Sequence, residues 1–167
     1  FIANRPESDF NKGCQLLKKI LLDLSKKISF HINVIGDEVD IKLYGNSTIK
    51  TYKRITNLYE LSLFYRASNV LLLPSLMENL PQVATESISS GTPVIAFKGS
   101  GTEDVVINEK TGYLVDKFDQ KEFYNSILRV INKGGKFFSG ECLLYSETNW
   151  KEELIATKYG DLYRSVH

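Results

Sequence analysis

The sequence predicts an α/β fold built on a doubly wound parallel sheet, and three observations predict it. Short apolar runs alternate with amphipathic stretches along the chain, the order that stacks helices on both faces of a parallel sheet. The run Val70, Leu71, Leu72, Leu73 is unbroken before Pro74, as in a strand buried on both faces. No linker and no internal repeat interrupts the pattern, so residues 1–167 read as a single domain.

Each element has its own signal. Phe1-Ile2-Ala3 reads as a strand already under way, which predicts a domain cut from a longer protein. Leu16, Leu17, Ile20, Leu21, Leu24 and Ile28 recur at helical spacing with lysines between them, an amphipathic helix. His31–Ile35 and Asp40–Tyr44 are short apolar-rich runs closed by Gly36-Asp37 and Gly45-Asn46, which predicts two strands. Leu58–Ala67 predicts a helix and Val70–Leu73 a strand. Pro81–Ser90 forms a helix with Pro81 near its first turn and Gly91 closing it. Pro93–Phe97 is a strand, Thr102–Ile107 a short helix and Tyr113–Val115 a last strand. Asp119 caps a helix to Ile131 that ends at Gly134-Gly135, and Trp150–Val166 is a terminal helix. The sum is a Rossmann-like domain, whose ligands bind beyond the carboxyl ends of the strands. Those ends are the loops after Ala3, Gly36, Leu73 and Phe97.

Composition excludes several classes. The chain is 43% hydrophobic and 25% charged, as soluble globular proteins are, and its 21 basic against 20 acidic residues contain no nucleic-acid arm. Cys14 and Cys142 lack the paired spacing of a zinc or redox motif, which points to a reducing, cytoplasmic setting. No apolar run approaches the roughly 20 residues that span a bilayer.

Pro74–Val94, PSLMENLPQVATESISSGTPV, carries the chemistry. If Pro81 opens the helix, Glu78 lies in the preceding loop and Glu86 about 7.5 Å along the axis. The two acids then flank a helix N-terminus, whose free amides and dipole favour an anion, phosphate above all. Proline donates nothing, so Gln82 and Val83 are the expected amide donors. A diphosphate there leaves a carboxylate for hydroxyls on each side, a sugar near Glu78 and a ribose near Glu86.

These residues resemble the Glu-x7-Glu region of the family-four retaining glycosyltransferases, the glycosyl transferases of group 1. The usual pattern PS-x-x-E-G-F-G…E-A…G-x-PV appears here as Pro74-Ser75-Leu76-Met77-Glu78, Glu86 and Gly91-Thr92-Pro93-Val94. Lys12-Gly13, the run Tyr65 to Val70, and Thr111-Gly112-Tyr113-Leu114-Val115 match further motifs in the family's order. The resemblance implies the C-terminal half of a GT-B fold, with an acceptor-binding N-terminal domain absent from this chain. It implies a UDP- or GDP-sugar donor, with Glu78 on the sugar, Glu86 on the ribose, and Lys12 and Arg5 on the diphosphate. No metal or other cofactor is implied.

The pattern departs from the family where Gly-Phe-Gly becomes Asn79-Leu80-Pro81. Lost glycines restrict the backbone beside the sugar, which bears on contacts from Asn79 and Leu80. Similar E-N-L-P forms resemble transferases of bacterial capsular and exopolysaccharide assembly. That implies a glycan or lipid-linked acceptor and a location in the cytoplasm or at the inner face of the membrane. By this reading the fragment alone is inactive. A binding module without catalysis, or a GT-B-type sugar-nucleotide epimerase, are the alternatives.

Other features read as structure. His31 packs in its strand and His167 frays, while Phe118 and Tyr124 belong to the core. Phe137, Phe138, Tyr145, Trp150, Tyr159 and Tyr163 bury the last helices. Gly45-Asn46 reads equally as a plain turn or as an approach to the nucleotide base, with Leu58 and Tyr59 beside that base.

Overall fold

The computed structural model describes residues 2–3, 10–99 and 101–165. The strands are β1 (Ile2–Ala3), β2 (His31–Gly36), β3 (Thr48–Tyr52), β4 (Leu71–Leu73), β5 (Val94–Phe97) and β6 (Gly112–Val115). The helices are α1 (Cys14–Ser25), α2 (Leu58–Ala67), α3 (Gln82–Ser89), α4 (Thr102–Val105), α5 (Gln120–Lys133), α6 (Gly135–Asn149) and α7 (Glu152–Ser165), and a 3-10 turn covers Phe10–Lys12. All paired strands run parallel, in the orders β1-β2-β3 and β4-β5-β6.

The two sheets meet at the connections that leave β1 and β4. The Leu76 amide donates to the Asn11 carbonyl at 2.7 Å. Gly13 stands at φ +64, and a Cβ there would lie 1.9 Å from the Pro74 carbonyl oxygen, so only glycine fits. The chain thus reverses its winding direction at this seam, the place where an α/β sheet opens a crevice.

The core follows the apolar periodicities. β4 and β5 are buried at every position, as expected of central parallel strands. Leu17, Ile20, Leu21 and Leu24 bury one face of α1, while Leu16 and Ile28 pack at its margin. Phe123, Ile127 and Val130 of α5 are buried against the sheet, with Phe97 and Phe123 rings 4.9 Å apart. Each such side chain contributes about 1.5–3 kcal/mol by leaving water. Asp119 caps α5 by accepting from the Glu122 amide at 2.9 Å, and Asn57 caps α2 by accepting from Glu60 at 3.1 Å.

The structure departs from several of these expectations. Residues 40–44 are not a strand. Val39 and Ile41 are buried anchors that imitate strand alternation, but β2 already pairs with β1 on one side and with β3 on the other. The ladder position belongs to the more polar Thr48–Tyr52, half or fully exposed along its length. Secondly, α5 ends at Gly134 as expected, but a further helix that the sequence did not announce follows it. Gly134 turns the chain at φ +80 and α6 starts at once, with Phe138 and Cys142 as its buried side chains.

Thirdly, the late aromatics divide. Phe138 is buried and Tyr145 packs edge-on to Trp150 at 5.1 Å, but Phe137, Tyr159 and Tyr163 are exposed, and α7 has no buried residue. Fourthly, Phe118 is exposed in a turn at φ +68, which puts its ring outside the core that Tyr124 joins. His31 is exposed too, bridging Thr48 and Asn33 with its two ring nitrogens. His167 and Arg5 lie outside the described residues.

Candidate functional site

The strands β2, β3 and β4 end on one cleft of about 910 Å³. Each of the surrounding connections supplies a charged group to it. Lys12 comes from the turn after β1, Asp37 follows β2, Lys53 and Arg54 follow β3, Glu78 follows β4, and Glu86 projects from α3. Among the described residues three cations therefore face three carboxylates, a balance suited to a ligand with both phosphate and hydroxyl groups.

The closest approach among them joins Lys12 Nζ to Glu78 Oε1 at 3.0 Å, with both side chains partly buried. The sequence assigned these two residues to different parts of one ligand, and the fold brings them into direct contact. The Glu78 loop is also tied from behind. Its carbonyl accepts from the Gly101 amide at 2.7 Å. A Cβ on Gly101 would stand 1.5 Å from the Asn79 carbonyl oxygen, so this second loop can approach only as glycine. Asn79 consequently turns its carbonyl toward Gly101 and does not line the cleft, which corrects its expected place, whereas exposed Leu80 does line it.

Helix α3 opens onto the same space. Pro81 is its N-cap and its carbonyl accepts from Ala84 at 2.9 Å and Thr85 at 3.2 Å. The amides of Gln82 and Val83 precede those two donors and have no intrahelical partner, so the first turn presents two donors at the positive end of the dipole. Both residues line the cleft, as does Pro81. Glu86, one turn on, accepts a hydrogen bond through Oε2 from the Tyr65 hydroxyl at 2.9 Å. Tyr65 is buried, and burial first, then the Glu86 charge and hydrogen bond, push its phenol above the usual range.

Glu78, Glu86, Lys12, Gln82, Val83 and Leu80 thus share one cleft as expected. Leu58 lines it and Tyr59 does not; Gly45 faces the Ser25 carbonyl instead, an ordinary turn. Lys53, Arg54, Ile55 and Leu61 also line the cleft and carry no motif of their own. Correct placement of β3 would have revealed the first two, because they stand at its carboxyl end. Asp37 read only as a turn residue.

The profile of the family described as "Glycosyl transferases group 1" matches residues 9–137, more than half of the chain. The chain belongs to the group 1 glycosyltransferases. An uncharacterized glycosyltransferase of Methanocaldococcus jannaschii is 31% identical over 139 residues, which cover 75% of this chain and 40% of that protein. The chain therefore spans well under half the length of this curated relative. The UDP-Gal:alpha-D-GlcNAc-diphosphoundecaprenol alpha-1,3-galactosyltransferase of Escherichia coli is 38% identical over 65 residues, 39% of this chain and 17% of that enzyme. Among solved structures, the C-terminal domain of a group 1 family protein, LpcC, from Francisella tularensis superposes with a TM-score of 0.68 at 18% identity, covering 90% of this chain and 85% of that one. The fold is accordingly the Rossmann-like C-terminal half of a GT-B glycosyltransferase. No helix among the described residues is long and apolar enough to cross a membrane.

Proposed function

We propose that the cleft holds a nucleotide-diphosphate sugar and that this chain is the donor-binding domain of a retaining hexosyltransferase. The observation that carries the reading is the convergence of Lys12, Glu78 and the open first turn of α3 on one cleft in a group 1 glycosyltransferase. The diphosphate rests against the Gln82 and Val83 amides with Lys12 beside it, and Arg5 is the second cation of the proposal. Glu78 grips the donor sugar, Glu86 the ribose, and Ile55, Leu58 and Leu61 flank the base.

The chemistry needed is modest. The bond from the anomeric carbon to the diphosphate oxygen breaks as the acceptor hydroxyl closes on the same face, and the hydroxyl proton passes to the departing phosphate oxygen. Negative charge grows on the diphosphate during that step. Lys12 and the two amides are fixed where it grows, so they stabilise the transition state more than the bound donor. Neutralisation rests on these groups and requires no divalent ion.

The E. coli relative is named for a UDP-galactose donor and a diphosphoundecaprenol-linked acceptor, which supports a uridine nucleotide and a lipid-linked glycan acceptor ahead of guanosine and free glycan. Acceptor binding belongs to an N-terminal domain beyond this chain, and by the same reading the chain alone does not turn over. The reaction is placed in the cytoplasm or at the inner face of the membrane.

A thermal-shift screen of UDP- and GDP-sugars on the wild type and Glu86→Ala tests the assignment. One donor class raises the wild-type midpoint and raises the variant's less. Equal shifts in both proteins would remove Glu86 from the site, and nucleotide diphosphate release by the full-length protein is the matching test of turnover.

A further inference from the structure

We propose that Tyr65 is the positioning residue that aims the Glu86 carboxylate at the ribose. The proposal rests on the assignment of Glu86 to the ribose made above. Tyr65 does not line the cleft and is 4% exposed, so it can influence a ligand only through another group. Its hydroxyl donates to Glu86 Oε2 at 2.9 Å, and among the described residues no other group bonds to that carboxylate.

A carboxylate accepts at both oxygens. With Oε2 held from behind by a phenol, Oε1 is left facing the cleft, turned to accept from the paired hydroxyls of one sugar ring. Without that bond the side chain would rotate among its rotamers and lose the alignment on binding.

The bond is anchored at both ends, which distinguishes it from a chance contact. The Tyr65 carbonyl accepts from the buried Thr92 hydroxyl at 2.6 Å, locking the last turn of α2 to the strand entry. The same Thr92 ties the end of α3, its amide donating to the Ser87 carbonyl at 2.9 Å and its carbonyl accepting from the Ser87 hydroxyl at 3.0 Å. Neither helix can slide without breaking these ties, so the phenol and the carboxylate meet at a fixed distance. Burial also keeps the phenol protonated and donating across the physiological range.

A purely structural tyrosine would affect every ligand alike, and a positioning tyrosine affects only ligands that carry ribose hydroxyls. The test is calorimetry on the full-length protein with UDP and GDP, each beside its 2′,3′-dideoxy form, for wild type, Tyr65→Phe, Glu86→Gln and the double variant. In Tyr65→Phe the better-bound ribonucleotide weakens by about 3- to 10-fold, the net worth of one ordinary hydrogen bond lost through misalignment, and the dideoxy form by less than about 2-fold. In the Glu86→Gln background the same change adds nothing specific to ribose.

Equal weakening of both nucleotides by Tyr65→Phe, or none in either, overturns the positioning role. If Glu86→Gln itself fails to separate ribose from dideoxyribose, the ribose assignment falls first, and that result is distinct from the former. Should Tyr65→Phe not fold, 3-fluorotyrosine placed at position 65 answers the question by fluorine NMR. UDP or GDP moves the resonance and the dideoxy form does not; an unmoved resonance with a bound ribonucleotide overturns the role.

Discussion

Lys12 Nζ sits 3.0 Å from Glu78 Oε1, an ion pair that spans the two connections leaving β1 and β4. Partly exposed pairs of this kind contribute about 0–1 kcal/mol to stability. The pair therefore earns its place in the site rather than in the fold. Lys12→Ala is expected to leave the unfolding midpoint within about 2 °C while lowering kcat by about 100-fold or more, the scale of a lost transition-state contact. Steady-state kinetics beside a melting curve checks both halves. A large fall in midpoint with unchanged kcat would reassign Lys12 to scaffolding.

The reverse pattern is expected at the caps and the core. Asp119→Ala removes the acceptor for Glu122 and should cost about 1 kcal/mol, and Phe123→Ala should cost about 3–5 kcal/mol. Donor affinity in the surviving folded fraction should be unchanged. Chemical denaturation with calorimetry at matched folded concentration separates the two effects.

Alkali should destabilise the domain. Burial, assisted by Glu141, pushes the Cys142 thiol up to about 12 from 9.0. Once unfolded, the thiol ionises near its ordinary value, so above about pH 9 the unfolded state binds fewer protons than the folded one. Stability contributed by keeping the thiol neutral is complete below pH 9 and is lost as pH rises from there toward 12. Denaturation midpoints should fall over that window, and less steeply in Cys142→Ala, provided that variant folds. A thiol reagent at pH 8 should leave Cys142 unmodified until denaturant is added.

Neutralisation of the diphosphate by side chains and amides predicts indifference to chelation. Turnover of the full-length protein in excess EDTA should match turnover with added magnesium. A tenfold or greater loss would require a cation the proposal does not contain.

What could be read in advance was whatever leaves a periodic or spaced trace. The apolar runs of β4 and β5 and the capped helix after Asp119 announce themselves because burial on both faces, or a hydrogen-bonded cap, constrains residue type locally. The place of Glu86 beyond a helix start was legible for the same reason, since the rise per residue fixes its distance from Pro81, with Glu78 in the loop just before. β3 was not. An edge strand keeps one flank in water, so Thr48 and Lys50 satisfy it as well as apolar residues do, while the anchors Val39 and Ile41 copy its alternation. Lys53 and Arg54 were lost with it. The Tyr65 to Glu86 bond joins residues 21 apart through tertiary packing, and no local rule connects them.

Gly13 offers a caution for anyone who surveys this family by deletion of function. It is not among the residues lining the donor cleft and carries no side chain, yet its replacement would drive a carbon into the Pro74 carbonyl and pry apart the stretches bearing Lys12 and Glu78. A screen scored on product alone would rank it among the groups that handle substrate. Counting intact molecules separately from working ones is what would tell a hinge of the architecture from a participant in the reaction.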